Sequence, residues 1–243
     1  MKLKHKRILI TGGTSGIGYQ LTRQLCVDNT VIVIARDEAR LASLAQELDG
    51  VITYRADLAE PSDVEAVAER IVTRFGRIDL LINNVAIQNT STFLDETFQY
   101  SSIAREIAVN FTSVCSLTYL LLPALLQDKP AVIMNINSGL ALAPKTSSAV
   151  YCATKAALDV FSQSLRYQLE QSNIRVQQVF FELVDTAMTE GRGRKKMSAE
   201  QAAREVITAL QREVQDHDVG KVKLLRCLLR FAPSAAKKIM KAY

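Results

Sequence analysis

Tyr151 and Lys155 stand four residues apart in Tyr-Cys-Ala-Thr-Lys, and Ser138 precedes the tyrosine by thirteen. Residues four apart on a helix share a face. A tyrosine, with a pKa of about 10, is a poor acid or base near neutrality. A lysine ammonium about 4 Å away is worth roughly 4 kcal/mol at an effective dielectric near 20, or about three pKa units. Such a pair suits one task, moving the proton of an oxygen whose carbon exchanges a hydride. Ser138 can hold that oxygen by a hydrogen bond, and Lys155 can also hold a ribose. Alone, a Tyr/Lys pair at this spacing is a common surface pair, so its meaning depends on what the chain puts beside it.

Residues 11–18 read Thr-Gly-Gly-Thr-Ser-Gly-Ile-Gly, in a chain with only ten glycines. A short apolar run precedes them and a helical pattern follows. A nucleoside triphosphate cradle needs lysine where Tyr19 stands. A nucleophile elbow needs glycine where Ile17 stands, and no histidine lies nearby to activate Ser15. What fits is a dinucleotide turn, whose glycines let the backbone approach a pyrophosphate at the positive end of a helix. Gly12, Thr14, Ser15, Gly16, Ile17 and Gly18 are its candidate contacts. The next apolar run ends in Ala35-Arg36-Asp37. A cation there suits a ribose 2′-phosphate and an acid suits a free 2′-hydroxyl. Arg36 therefore favours NADP(H) over NAD(H), with Asp37 weakening the point.

These groups need a scaffold. Strand-like runs at 8–10, 31–34, 51–54, 80–82, 132–136 and 176–180 alternate with helical patterns at 38–48, 62–75, 103–126 and 151–171. That order predicts an α/β fold, a doubly wound parallel sheet of Rossmann type with helices on both faces. Serine 138 then falls at the carboxyl end of its strand, where open α/β sheets bind ligands. At 243 residues, 48% hydrophobic and 23% charged, the chain reads as one globular domain. Its nucleotide-binding part spans about 1–130 and its catalytic and substrate part about 131–243. No apolar run reaches the roughly 18–20 residues of a membrane span, and the N-terminus lacks a secretory signal. The expectation is a cytoplasmic protein. Cys26, Cys115, Cys152 and Cys227 show no C-x-x-C spacing, and His5 and His217 lie far from every motif, so no metal site is expected.

In combination these motifs resemble the short-chain dehydrogenase/reductase family over nearly the whole chain. The matching residues are the turn at 11–18, Asp57-Leu58, Asn83-Asn84, Asn110, Ser138, and the Tyr151/Lys155 pair. The resemblance implies that Asp57 and Leu58 lie against the adenine and that Asn83 lines the cofactor cleft. It implies that Asn110 joins Ser138, Tyr151 and Lys155 in the catalytic set through a water relay to Lys155. Thr186 would bind the nicotinamide carboxamide. Later segments, including Glu182-Leu183-Val184-Asp185-Thr186, are similar to the DltE-like oxidoreductase branch. Two departures stand out. Val85-Ala86 replaces the family's Ala-Gly after the paired asparagines, and Phe181-Glu182 replaces its Pro-Gly.

The functional expectation is an NADP(H)-dependent oxidoreductase that interconverts a carbonyl and an alcohol, with Tyr151 as acid/base. The alternative is a non-catalytic NADP(H)-binding sensor or scaffold. The formal net charge is +5. Arg192, Arg194, Lys195 and Lys196 form one basic cluster, and Lys221, Lys223, Arg226, Arg230, Lys237, Lys238 and Lys241 form another with no acid after Asp218. Apolar residues interleave with the second cluster. The expected reading is a helix packed on its own domain, and peripheral contact with an anionic membrane is the lesser reading. No nucleic-acid recognition motif is present. The family resemblance implies a homodimer or homotetramer.

Overall fold

The structure, a computed structural model, describes residues 2–193 and 195–242. Arg194 of the first basic cluster lies outside the described residues.

The chain runs β1 (Arg7–Thr11), α1 (Gly16–Leu25), β2 (Thr30–Ala35), α2 (Glu38–Glu47), β3 (Val51–Arg55), α3 (Pro61–Phe75) and β4 (Leu80–Asn83). A long helical stretch follows: α4 (Ser101–Ile107), a π-helical turn (Ala108–Thr112) and α5 (Ser113–Leu125). Next come β5 (Ala131–Ser138), a 3₁₀ turn (Gly139–Ala141), α6 (Ala149–Gln168) and β6 (Ile174–Phe181). The last part adds β7 (Val184–Asp185), β8 (Met197–Ser198), α7 (Ala199–Arg212), β9 (Asp216–Asp218), α8 (Val222–Phe231) and α9 (Pro233–Lys241).

Seven strands form one parallel sheet in the order β3-β2-β1-β4-β5-β6-β9. Side chains alternate across each strand, so the β-branched runs feed two cores. Ile8, Ile10, Val31 and Val33 pack with Leu21 of α1, Leu41 of α2 and Val206 of α7. Leu9, Ile32 and Ile34 face the other way, onto Val67 and Ile71 of α3 and Leu117 and Leu121 of α5. Strand order reverses between β1 and β4, which opens a crevice at the carboxyl ends of those strands.

Two expectations change here. The seventh strand, Asp216-His217-Asp218, carries no apolar signal, because it lies at the sheet edge and pairs only with β6. Its acids are taken by Arg166 of α6 and Arg226 of α8. Also, the continuous helix Ser101–Leu125 is long and apolar enough to cross a membrane, with a mean hydropathy of 1.5 over its most apolar 18 residues. Polar residues break the apolar run in sequence, but winding brings Val114, Leu117, Leu121 and Leu125 to one buried face. In this fold that face packs Leu117, Leu121 and Leu125 into the core beneath the sheet.

Candidate active site

A cleft of about 430 Å³ opens at the switch point. Gly12, Ser15, Gly16 and Ile17 line one end, while Ser138, Tyr151, Lys155 and Thr186 line the middle. The structure thus brings the glycine turn and the Ser/Tyr/Lys set to one cavity. Thr14 sits half-buried on the turn outside that lining.

The turn is built for close approach. Gly12 adopts φ +69°, and a β-carbon there would lie 3.2 Å from the Val85 Cα. Gly18 admits no side chain at all, since a β-carbon would run into the Gly12 carbonyl and the Asn84 amide. Helix α1 starts at Gly16, and the preceding Ser15 makes no side-chain cap bond. The first-turn amides therefore keep their donors and their positive dipole end at a cleft edge, which fits a pyrophosphate. Thr186 lies directly over this point, its methyl 3.0 Å from where a Gly16 β-carbon would stand.

At the end of β2, Arg36 is exposed, while the Asp37 carboxylate accepts the Arg40 N–H at 3.0 Å and caps α2. The acid beside Arg36 is thus engaged with its own helix. Asp57 accepts Arg105 Nη2 at 2.8 Å and the Ala59 N–H at 3.0 Å. Burial alone would raise the Asp57 carboxyl, but these bonds and the charges of Arg105 and Arg36 hold it below its ordinary value. The Leu58 side chain belongs to the core. Asn83 differs from expectation in the same way. It is buried, with Nδ2 donating to Asn135 Oδ1 at 2.8 Å, and the cleft wall is made by Asn84, Val85 and Ala86 instead. Strand alternation turns the first asparagine inward and the second outward.

Ser138 ends β5; its hydroxyl accepts the Leu140 N–H at 3.2 Å, and the residue lines the cleft together with Tyr151. Tyr151 lies in the first turn of α6, with Lys155 one turn on; both are buried. The expected lowering of the tyrosine pKa by a close lysine is not what the protein groups produce. The Lys155 ammonium lies 5.8 Å from the ring centroid and donates to the Ile136 carbonyl at 2.8 Å. Burial pushes the Tyr151 phenol well above its ordinary value, and burial brings Lys155 down to about 8. Desolvation disfavours the charged form of each and here outweighs their mutual attraction.

Asn110 sits in the π-helical turn, a distortion that recurs at functional sites. Its amide is fully engaged: Oδ1 accepts the Ile87 N–H at 2.8 Å, and Nδ2 donates to the Ile87 carbonyl and to Thr154 Oγ1. The side chain clamps the loop after β4 against α6, and it makes no direct contact with Lys155.

Both departures are accommodated. Val85 and Asn84 donate their N–H groups to Thr11 Oγ1, so the bulkier pair packs over Gly12. Phe181 is buried in the core, while the Glu182 carboxylate folds over the Gly220 turn, 3.8 Å from Lys221. The sequence places the substrate over Tyr151, walled by residues 87–92, 140–147 and 187–197, and from these stretches Gln88, Lys145 and Arg192 line the cavity with Tyr151. Sequence reasoning missed the far wall, built by α8 and α9 through Val222, Leu225, Leu228 and Met240.

The chain matches the profile of the short chain dehydrogenase family over residues 6–197. It is 37% identical over 191 residues to the uncharacterized oxidoreductase DltE of Bacillus subtilis (strain 168), covering 78% of this chain and 76% of that one. L-xylulose reductase of Bos taurus is 33% identical over 190 residues, covering 77% and 75%. A solved short-chain dehydrogenase from Sphingobium yanoikuyae in complex with NADPH superposes with a TM-score of 0.82 at 27% identity, covering 95% of each chain. Structures of this fold hold NADPH, NADP, NADH or NAD, so the fold by itself selects no cofactor.

Proposed function

This chain belongs to the short-chain dehydrogenase family, and from that premise we propose that it is an NADP(H)-dependent oxidoreductase interconverting a carbonyl and an alcohol. The observation that carries the reading is convergence: Ser138, Tyr151 and Lys155 line the same cleft as the uncapped glycine turn. The turn residues, Thr186 and the Tyr151/Lys155 pair would hold the cofactor, with Arg36 at the 2′-phosphate, Asp57 and the Leu58 main chain toward the adenine, and Asn83 behind the cleft wall. NADP(H), when bound, supplies or accepts the hydride at the substrate carbon. Tyr151 gives its phenolic proton to the carbonyl oxygen in reduction and takes it back in oxidation. Ser138 holds that oxygen by a hydrogen bond, and the buried Lys155 ammonium favours the phenolate that proton loss creates. Asn110 sets the position of the loop wall opposite. A cytoplasmic homo-oligomer is part of the proposal, supported by Tyr119, Val160 and Tyr167, which stand two-thirds or more exposed on α5 and α6.

The test is a titration with NADPH and then NADH, followed by nicotinamide fluorescence. NADPH should bind more tightly, and Arg36→Ala should weaken NADPH by roughly tenfold or more with little effect on NADH, as expected for loss of a charge-assisted phosphate contact. Tyr151→Phe should keep NADPH affinity and lose turnover. A parent protein that binds NADPH and reduces no carbonyl in a broad screen would leave only the sensor reading standing.

A further inference from the structure

Arg192 is held across the mouth of the cleft. Its Nη1 donates to Gln88 Oε1 at 2.7 Å and its Nη2 to the Met188 carbonyl. Gln88 is fixed in turn, with Nε2 on the hydroxyl of Ser148, a buried residue at φ +61°. Both partners of the guanidinium are neutral, and a guanidinium has five N–H donors, so most remain for another acceptor. Lys145 stands beside it. It lines the same cavity as Tyr151 and Arg192. Both cations line the cavity and are half-buried.

Neither has a carboxylate within ion-pair distance among the described residues. The other half-buried cations among the described residues do: Lys6 and Arg77 share Asp79, Arg105 holds Asp57, Arg166 holds Asp216, Lys196 holds Asp185 and Arg226 holds Asp218. Of the acids close by, the buried Glu106 gives its two oxygens to the Asn89 main chain and side chain, and Glu182, which lines the cavity, lies 3.8 Å from Lys221. Two like charges drawn together and partly desolvated are unfavourable until an anion joins them. Burial and the neighbouring Arg192 charge lower the Lys145 pKa, in keeping with that proximity. The pair flanks Tyr151, while the glycine turn that suits the cofactor phosphates lines another part of the cleft.

We propose that Arg192 and Lys145 form an anion-binding pair for the substrate, which is then a carbonyl compound bearing a carboxylate or phosphoryl group close to the reacting carbon. Its apolar part lies against Leu225, Leu228 and Met240 of the far wall. This rests on the oxidoreductase reading, and the experiment separates the two. Binding of 2-oxohexanoate and 4-oxopentanoate is measured by calorimetry against their primary amides, with and without NADP⁺. Inorganic phosphate serves as a third probe. At least one acid should bind roughly tenfold or more tightly than its amide. Arg192→Gln and Lys145→Gln should each erase most of that preference with NADP⁺ affinity unchanged, and Arg192→Lys should restore part of it. Equal binding of acid and amide, no binding of any anionic probe, or a preference that survives the double variant would overturn the proposal. So would a matching loss of NADP⁺ affinity, which would assign the cations to the cofactor. NADPH oxidation is read separately. Acid-selective binding without turnover keeps the anion pair and removes the oxidoreductase reading; turnover confined to neutral ketones does the reverse.

Discussion

Lys155 sits where an ammonium is hard to keep charged. It is 3% exposed, and among the described residues its one hydrogen-bond partner is the Ile136 carbonyl. Burial brings its pKa to about 8, against an unfolded value of 10.5. Between those values the unfolded chain binds more protons than the folded one, so folding stability from this group rises with pH across the window. Below pH 8 both states are charged, and the full penalty of burying the ammonium is present. The prediction is a difference measurement that cancels packing changes. Urea denaturation of the parent and of Lys155→Met, compared from pH 7.5 to 10.5, should shift in the parent's favour by roughly 3 kcal/mol, at about 1.4 kcal/mol per pKa unit. A flat difference would mean that the lysine is solvated. The same desolvation keeps Tyr151 protonated, as a proton donor to a carbonyl must be before reaction. The electrostatic help that Lys155 gives is therefore confined to the phenolate formed when that proton leaves.

At the scale of elements, the close contact between the end of β1 and the start of α1 fixes the cofactor end of the cleft. Gly18→Ala puts a methyl into the Gly12 carbonyl and the Asn84 amide. The helix must move outward, so NADPH affinity should fall by tenfold or more, with about 1–3 kcal/mol lost in stability. Gly76→Ala is the control. Gly76 ends α3 at φ +63° with no atom within 4 Å of a β-carbon, so only backbone strain of roughly 1–2 kcal/mol applies and NADPH binding should not change. Equal effects on NADPH would remove the argument from space. This close contact is also why so much was legible in the sequence: the glycine spacing, the β-branched strands and the Tyr/Lys pair each answer to a local rule. What stayed hidden answers to neighbours far along the chain. Strand β9 is polar because it occupies an edge, and the buried Asn83 finds its hydrogen-bond partner in Asn135 of β5, 52 residues on. Arg192 reaches Gln88 across 104 residues of sequence, and no local pattern marks that contact.

At the scale of the molecule, the basic C-terminal segment is part of the site. Arg226 holds both carboxylate oxygens of Asp218 at 2.6 and 2.8 Å and lies over the Phe180 ring, tying α8 to the sheet edge. Val222 packs against Gly139, next to Ser138, and the Thr146 hydroxyl donates to the Lys241 carbonyl at 2.7 Å. The hairpin thus walls the cleft, the exposed Leu224 and Ile239 included, while Phe231 stands outside that lining and exposed. Deleting residues 221–243 leaves the seven-strand sheet and the glycine turn untouched. Two consequences are expected of that truncated protein. NADPH affinity should change little, because the turn, Arg36 and Asp57 lie in elements the deletion does not touch, whereas turnover should fall sharply as water reaches Ser138 and Tyr151. Any binding to anionic vesicles should vanish with the hairpin, since it carries both a cluster of cations and exposed apolar side chains. Vesicle binding that persists after the deletion would place the membrane contact elsewhere, and NADPH affinity that collapses with turnover would show that the hairpin supports the whole cleft and not its substrate wall alone.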